Sequence, residues 1–334
     1  MTTTTTGICT LANDRVFDQT IALINSISAI MGPSFPICIF PYDDHCDRLQ
    51  RAIFDRPNVT IFQDNEVLEY WDNEAKRVWD ACPSAKLRWA EITEDAYYRF
   101  GTHRRFGAFS GPFDRFLYMD ADTVLLQDVT PLLEKLDTHD WIVHDFQHRD
   151  VSHVYNCASD QLLQVFTPRQ IDHEIFCSGF YAAKRGTFSQ AQLDDCLRLL
   201  QAGEYDLLYG MAPDQTVLNY WVMRSNLKIY NTTLELPSAE VTGCCVTSDH
   251  FEVQDGMLFD RGIPLTYLHY IGLSSSLFGR LCAGENIDFP YREVFLHYRY
   301  LHDSASRPDL LGKARPYNDR SFTDRILTKL RLPR

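Results

Sequence analysis

Asp120 and Asp122 stand two residues apart, directly after the apolar run Phe116-Leu117-Tyr118-Met119 and just before Thr123-Val124-Leu125-Leu126. A carboxylate in such a setting needs a cation or a polar partner, because unpaired buried charge is costly. Hard oxygen ligands suit Mg²⁺ or Mn²⁺, which are commonly held by one or two carboxylates together with substrate phosphates. A metal and diphosphate site is the expectation; a plain turn is the alternative. His269, in Thr266-Tyr267-Leu268-His269-Tyr270-Ile271-Gly272, could add a neutral imidazole as third ligand, a mixture that manganese accepts better than magnesium. Its other reading is a hydrogen-bonded strand-end histidine. Arg104-Arg105 could bind a diphosphate through planar forks, or could face solvent on a helix. Phe176-Cys177-Ser178-Gly179-Phe180 and Pro213-Asp214-Gln215 set small and amide-bearing residues at a strand and a helix start. Asp214 reads otherwise as a helix cap, and Gly179 as a close-packed strand residue.

The elements around these residues form an alternating series. Residues 7–12 read as a buried strand ending at Asn13-Asp14, and Phe17, Ile21, Ile24, Ile27 and Ile30 recur at helical spacing up to Gly32-Pro33. Strands follow at 35–40 and 59–62, with a polar helix opened by Asp43-Asp44-His45 between them. This order predicts an α/β fold with a doubly wound, mostly parallel sheet and flanking helices. Ligands gather at the carboxyl ends of such strands, where Asn13-Asp14 and the acid pair both fall. Residues 64–114 read as mostly helical, 141–145 as a strand, and 146–174 as a loop or small helical insertion. Strand character returns at 174–183, helices at 191–200 and from Pro213, and a late strand at 265–270.

Composition narrows the function. The 334 residues are 45% hydrophobic and carry 32 basic against 45 acidic side chains, a formal charge of −13. That balance argues against a nucleic-acid binder, which needs a basic surface. Ten cysteines without a Cys-x-x-Cys pair read as reduced thiols in a cytoplasmic protein. No apolar stretch is long enough to span a bilayer. His139, His144, His148 and His153 fit no compact zinc pattern; with Asp145 they could line an acceptor side.

Four segments in order carry a resemblance: Tyr118-Met119-Asp120-Ala121-Asp122-Thr123-Val124-Leu125, Ser178-Gly179, Asp214-Gln215-Thr216-Val217-Leu218-Asn219, and His269-Tyr270-Ile271-Gly272. With Leu11-Ala12-Asn13-Asp14 as a nucleotide-contacting strand end, the chain resembles GT-A glycosyltransferases over about residues 7–275. Within them it is similar to the family 8 enzymes related to glycogenin and bacterial lipopolysaccharide galactosyltransferases. The resemblance implies a GT-A fold and Mn²⁺ (or Mg²⁺) on Asp120, Asp122 and His269. It also implies a nucleoside diphosphate-sugar donor, a UDP-sugar in the first instance, and a saccharide or other hydroxyl acceptor with retention of configuration. Leu11, Ala12, Asn13, Asp14, Ala121, Ser178, Gly179 and Gly272 would meet the donor, Arg104 or Arg105 its diphosphate, and Asp214 with Gln215 the transferred sugar. The chain departs from the family in having Cys177 in place of an asparagine, and Ser274-Ser275-Ser276 where a lysine follows the His-x-x-Gly segment; Arg280 is a candidate substitute.

Gln215 has no ionisable nucleophile, so Asp214 is the candidate for a covalent route, whereas a front-face route needs neither. Residues 1–303 are expected to form the transferase domain, and 304–334 a basic tail. From Ala305 onward there are 8 Lys/Arg and 3 Asp, with Phe322, Ile326, Leu327 and Leu330 on one helical face. Such a helix could dock on an anionic leaflet, which would suit a lipid-linked acceptor; packing on its own domain is the alternative. Two rival functions stay open: a haloacid dehalogenase-like phosphatase using Asp120 and Asp122, and an inactive nucleotide-sugar binding protein.

Overall fold

The computed structural model describes residues 4–158 and 161–318. Eight strands open the chain: β1 (Thr6–Ala12), β2 (Ile37–Pro41), β3 (Val59–Ile61), β4 (Arg115–Met119), β5 (Thr123–Leu125), β6 (Trp141–Val143), β7 (Phe180–Lys184) and β8 (Ile229–Asn231). Seven of them form the central sheet, in the order β3-β2-β1-β4-β7-β6-β8. Four of its six neighbouring pairs are parallel, and β7 runs antiparallel to both β4 and β6. The mostly parallel, helix-flanked sheet agrees with the α/β expectation.

The core follows from the pleat. Along β1, Ile8 enters the aliphatic layer with Ile21, Ile24 and Ile27 of helix Phe17–Met31. Cys9, one residue on, enters an aromatic layer with Trp71, Trp79, Trp141 and Trp221 on the opposite face. The helical spacing of the isoleucines is thus spent on one sheet face. The second layer is built largely from residues 64–114, as helices Asn65–Asp80 and Pro83–Trp89 and the 3-10 turns Phe100–Ser110.

β5 leaves the main sheet and pairs antiparallel with β12 (Tyr267–His269), beyond a small sheet of β9 (Glu252–Gln254), β10 (Met257–Asp260) and β11 (Ile263–Pro264). The insertion at 146–174 contains short helices, Leu162–Val165 and Pro168–Glu174. Helices Gln190–Gln201 and Pro213–Arg224 occupy the expected positions.

One strand is shorter than its sequence suggests. Apolar character begins near 174, yet β7 begins at Phe180. The N–H groups of Phe176, Cys177 and Ser178 donate instead to side chains, those of Asn219, Asp145 and Gln215, at 3.0, 3.2 and 3.0 Å. Side-chain acceptors take the place of a strand ladder, so the segment leads into β7 as a loop.

All ten cysteines are free. Among the described residues no helix is long and apolar enough to cross a membrane. Of the basic tail, residues 304–318 lie against the domain: Arg315–Pro316 pairs with Ile287–Asp288, and Arg307 bonds Glu293 at 2.7 Å. Phe322, Ile326, Leu327 and Leu330, the face expected to meet a membrane, lie outside the described residues.

His144, one residue past β6, belongs to no metal cluster among the described residues. Its ring meets the Thr232 hydroxyl and the Thr242 carbonyl, and burial pushes the imidazole down to about 4. An unfolded chain takes up this proton below about pH 6.5, whereas the folded chain resists until about 4. Stability should therefore fall with pH across that window, by roughly 3 kcal/mol from this group. Urea unfolding from pH 7 to 4.5 should show a shallower decline for His144→Gln than for the wild type; parallel curves would refute the assignment.

Candidate metal and nucleotide site

The backbone brings the three expected ligands together. β4 delivers Asp120, whose N–H donates to the Gly179 carbonyl at the start of β7 (2.9 Å). The Asp120-Ala121-Asp122 turn is closed by the Thr123 hydroxyl, which donates to the Asp120 carbonyl at 2.7 Å. The β5–β12 register sets His269 opposite Thr123, and the Tyr270 N–H donates to the Asp122 carbonyl at 2.9 Å. His269 Nε2 consequently lies 3.2 Å from Asp122 Oδ1 and 3.9 Å from Asp120 Oδ2. One ligand atom from each residue falls within 4.8 Å of the others, the one such group of three among the described residues. Two carboxylates and an imidazole form a donor set that fits Mn²⁺ and, less well, Mg²⁺.

Arg105 supports this cluster from below. Its Nη2 bridges Asp120 Oδ1 at 3.0 Å and Asp214 Oδ2 at 3.1 Å. Nη1 donates to the carbonyl and hydroxyl of Ser178, both at 3.0 Å, and Nε to the Thr102 carbonyl at 3.2 Å. The Tyr118 hydroxyl donates to Asp120 Oδ1 at 3.1 Å, with its ring under the guanidinium. Burial is the largest influence on the Asp214 carboxyl and works to raise it, but Arg105, His103, Arg99 and Thr102 together hold the group below its usual range. At Asp120 burial wins over Arg105, and the carboxyl is raised. At Asp122 burial also works to raise the carboxyl, but His269, a backbone N–H and Arg105 together lower it.

Gly179 makes the convergence possible. A Cβ there would lie 2.5 Å from His269 Cε1 and 2.9 Å from Asp120 Oδ2. The Cys177 thiol, on the same loop, is among the groups that raise the His269 imidazole, after Asp122. Cys177 thus acts electrostatically on the candidate metal ligand.

The acid pair opens onto a cleft of about 580 Å³ at the carboxyl end of β1, lined by Leu11, Ala12, Asn13, Tyr42, Ala121 and Leu273 among others. Ser178 and Gly179 border the ligand cluster, and Gly272, with φ of 81°, turns the chain toward the cleft residues Leu273, Ser274 and Ser275. Several expected residues are engaged elsewhere. Asp14 caps helix Asp47–Ile53, accepting the N–H groups of Arg48 and Leu49 at 2.9 Å each. Arg104 faces a neighbouring cavity and bonds Asp72 and the Pro41 carbonyl, so of the arginine pair Arg105 alone lines the cleft. Arg280 pairs with Glu285. Gln215 accepts from the Ser178 N–H and donates to the His153 carbonyl at 2.9 Å. Sequence reasoning missed Tyr118, Thr102, Arg15, Arg99 and Tyr42 at this site. Tyr118 was reachable, two residues before Asp120 on the same strand face; the others carry no local signal.

No protein-family model matches the chain, and none of the curated proteins matches it. Solved structures do. The bifunctional glycosyltransferase WbbM matches with a TM-score of 0.55 at 15% identity, covering 92% of this chain and 52% of that one. Galactosyltransferase LgtC, in complex with donor and acceptor sugar analogues, matches at 0.47 and 15%, covering 82% and 94%. GlyE of Streptococcus pneumoniae matches at 0.48 and 13%, covering 91% and 62%. The likeness to WbbM establishes the GT-A fold; the chain spans about half the length of that enzyme.

Gly179→Ala should lower Mn²⁺ affinity at least about tenfold by displacing His269 or Asp120, as changes beside metal ligands do. Titration followed by Mn²⁺ electron paramagnetic resonance checks this; unchanged affinity would mean that the three residues do not share an ion.

Proposed function

We propose that this protein is a metal-dependent glycosyltransferase that moves a sugar from a nucleoside diphosphate donor to a hydroxyl acceptor with retention. The observation that carries the reading is the meeting of Asp120, Asp122 and His269 at the mouth of a polar cleft, on a GT-A fold. WbbM, LgtC and GlyE are each described as a glycosyltransferase. A divalent ion bound by those three residues would neutralise the diphosphate as it departs.

The chain's own residues supply orientation and fixed charge. Arg105 fixes Asp120 while keeping Asp214 ionised, and an anionic carboxylate beside the sugar favours the positive charge that grows at its anomeric carbon. Asp214 is locked by Arg105, and Gln215 is engaged at both ends of its amide. Both facts favour the front-face route, in which a departing phosphate oxygen takes the acceptor proton. The phosphatase reading loses support, since an oxygen of its would-be nucleophile Asp120 is already held by Arg105 and Tyr118.

The acceptor in this reading is a saccharide, lipid-linked where the basic tail meets an anionic cytoplasmic leaflet. Liposome co-sedimentation of full-length protein against a chain ending at Ser304 tests the tail; equal pelleting removes it from the proposal.

A thermal-shift panel of nucleotide sugars with and without Mn²⁺ should identify a donor whose stabilising effect requires the ion. Asp122→Ala should then reduce donor turnover by about 100-fold or more while the protein stays folded. Asp120→Ala should lose turnover equally and also unfold more easily, by roughly 3 kcal/mol, because it strips a partner from buried Arg105. Full metal-dependent turnover by Asp122→Ala would overturn the site, donor binding without turnover by the wild type would indicate a binding protein, and product anomeric configuration by NMR decides retention.

A further inference from the structure

Three acidic and three basic side chains line the cleft: Asp43, Asp120 and Asp122 against Arg15, Arg99 and Arg105. These charges balance, so a dication between the acids leaves the lining with two positive charges in excess, the charge needed by a diphosphate. Arg105 does not supply them at the surface, because it is buried with every nitrogen engaged. Arg104 and Arg280 are paired elsewhere. Arg15 and Arg99 are exposed at the cleft, and no ion pair or side-chain hydrogen bond engages either among the described residues.

Their positions agree. Arg15 follows the Asn13-Asp14 turn at the carboxyl end of β1, where the Asn13 side chain accepts its N–H. Arg99 precedes the 3-10 turns that carry Arg105, and has left-handed backbone with φ 49° and ψ 39°. A non-glycine residue is strained in that region. The strain is fixed by the Arg99 carbonyl, which accepts both the N–H (3.0 Å) and the hydroxyl (2.8 Å) of Thr102. Burial raises the Tyr42 phenol, and Arg99 and Arg15 each oppose that rise, so both guanidiniums bear on one wall of the cleft.

Resting on the nucleotide-sugar reading above, we propose that Arg15 and Arg99 form the diphosphate clamp of this protein, two guanidiniums lining the cleft in place of the lysine that Ser274-Ser275-Ser276 lacks. An arginine fork offers paired N–H donors to phosphate oxygens, which a lysine would not.

The test uses the full chain with Mn²⁺ and isothermal titration of UDP, GDP and ADP, with the matching free nucleoside as control. The diphosphate that binds the wild type should bind Arg99→Ala and Arg15→Ala about tenfold more weakly each. Nucleoside affinity and the unliganded melting midpoint should stay unchanged, and Arg99→Lys should recover part of the loss. Wild-type affinity for the diphosphate in both alanine variants, or equal loss for nucleoside and diphosphate, would overturn the clamp while leaving the transferase reading intact. Failure of all three diphosphates to bind the wild type would remove both.

Discussion

The bridge from Arg105 to Asp120 and Asp214 is the interaction on which the rest of the site depends. It joins the strand that delivers the acid pair, the helix that begins at Pro213, and, through Ser178, the loop entering β7. A guanidinium this deeply buried is tolerable only with its donors satisfied, and here all are. Two carboxylates on one cation are also mutually restrained, since neither can turn away without stranding charge. The geometry of the cleft floor is therefore an electrostatic consequence of one side chain.

Around that centre the backbone is organised by side chains more than by strand pairing. The loop 176–178 hands its N–H groups to Asn219, Asp145 and Gln215, while Asn219 also donates back to the Phe176 carbonyl at 2.9 Å. Asp145 therefore has a positional role, and burial pushes its carboxyl up to about 7 in spite of two N–H donors. The segment Asp214-Gln215-Thr216-Val217-Leu218-Asn219 reads as sugar-contacting by resemblance. In the structure its amides first hold the 176–178 loop, which in turn presents Cys177 to His269 and Gly179 to Asp120.

How much of this was legible in the sequence follows from the range of each interaction. The alternating elements, the isoleucine face of helix Phe17–Met31 and the strand before Asp120 are local patterns, and they read correctly. The ligand trio was legible through ordered motifs, though not its cause, the β5–β12 register across more than a hundred residues. Arg104 and Arg105 are neighbours in sequence and could not be told apart, because backbone curvature sends one to Asp72 and the other to Asp120. The β7 start was overestimated since apolar residues continue upstream, while the competing acceptors come from distant segments. Arg99 left no trace, as left-handed backbone at an arginine has no sequence signal.

Burial is graded across the site in a way that separates holding from binding. The Arg105, Asp214 and His269 side chains are 6%, 9% and 5% exposed, whereas Asp120 and Asp122 are 24% and 27% exposed. The inner groups sit in a fixed, water-poor setting where their mutual interactions are strong. The acid pair keeps one side open, so an ion can exchange with solvent and share its coordination with an entering phosphate. Had the acids been as buried as Arg105, they would have needed a permanent partner or a proton, and the cleft would be a structural ion-pair network. Partial exposure over a rigid charged floor is what makes the pair available for ligand chemistry.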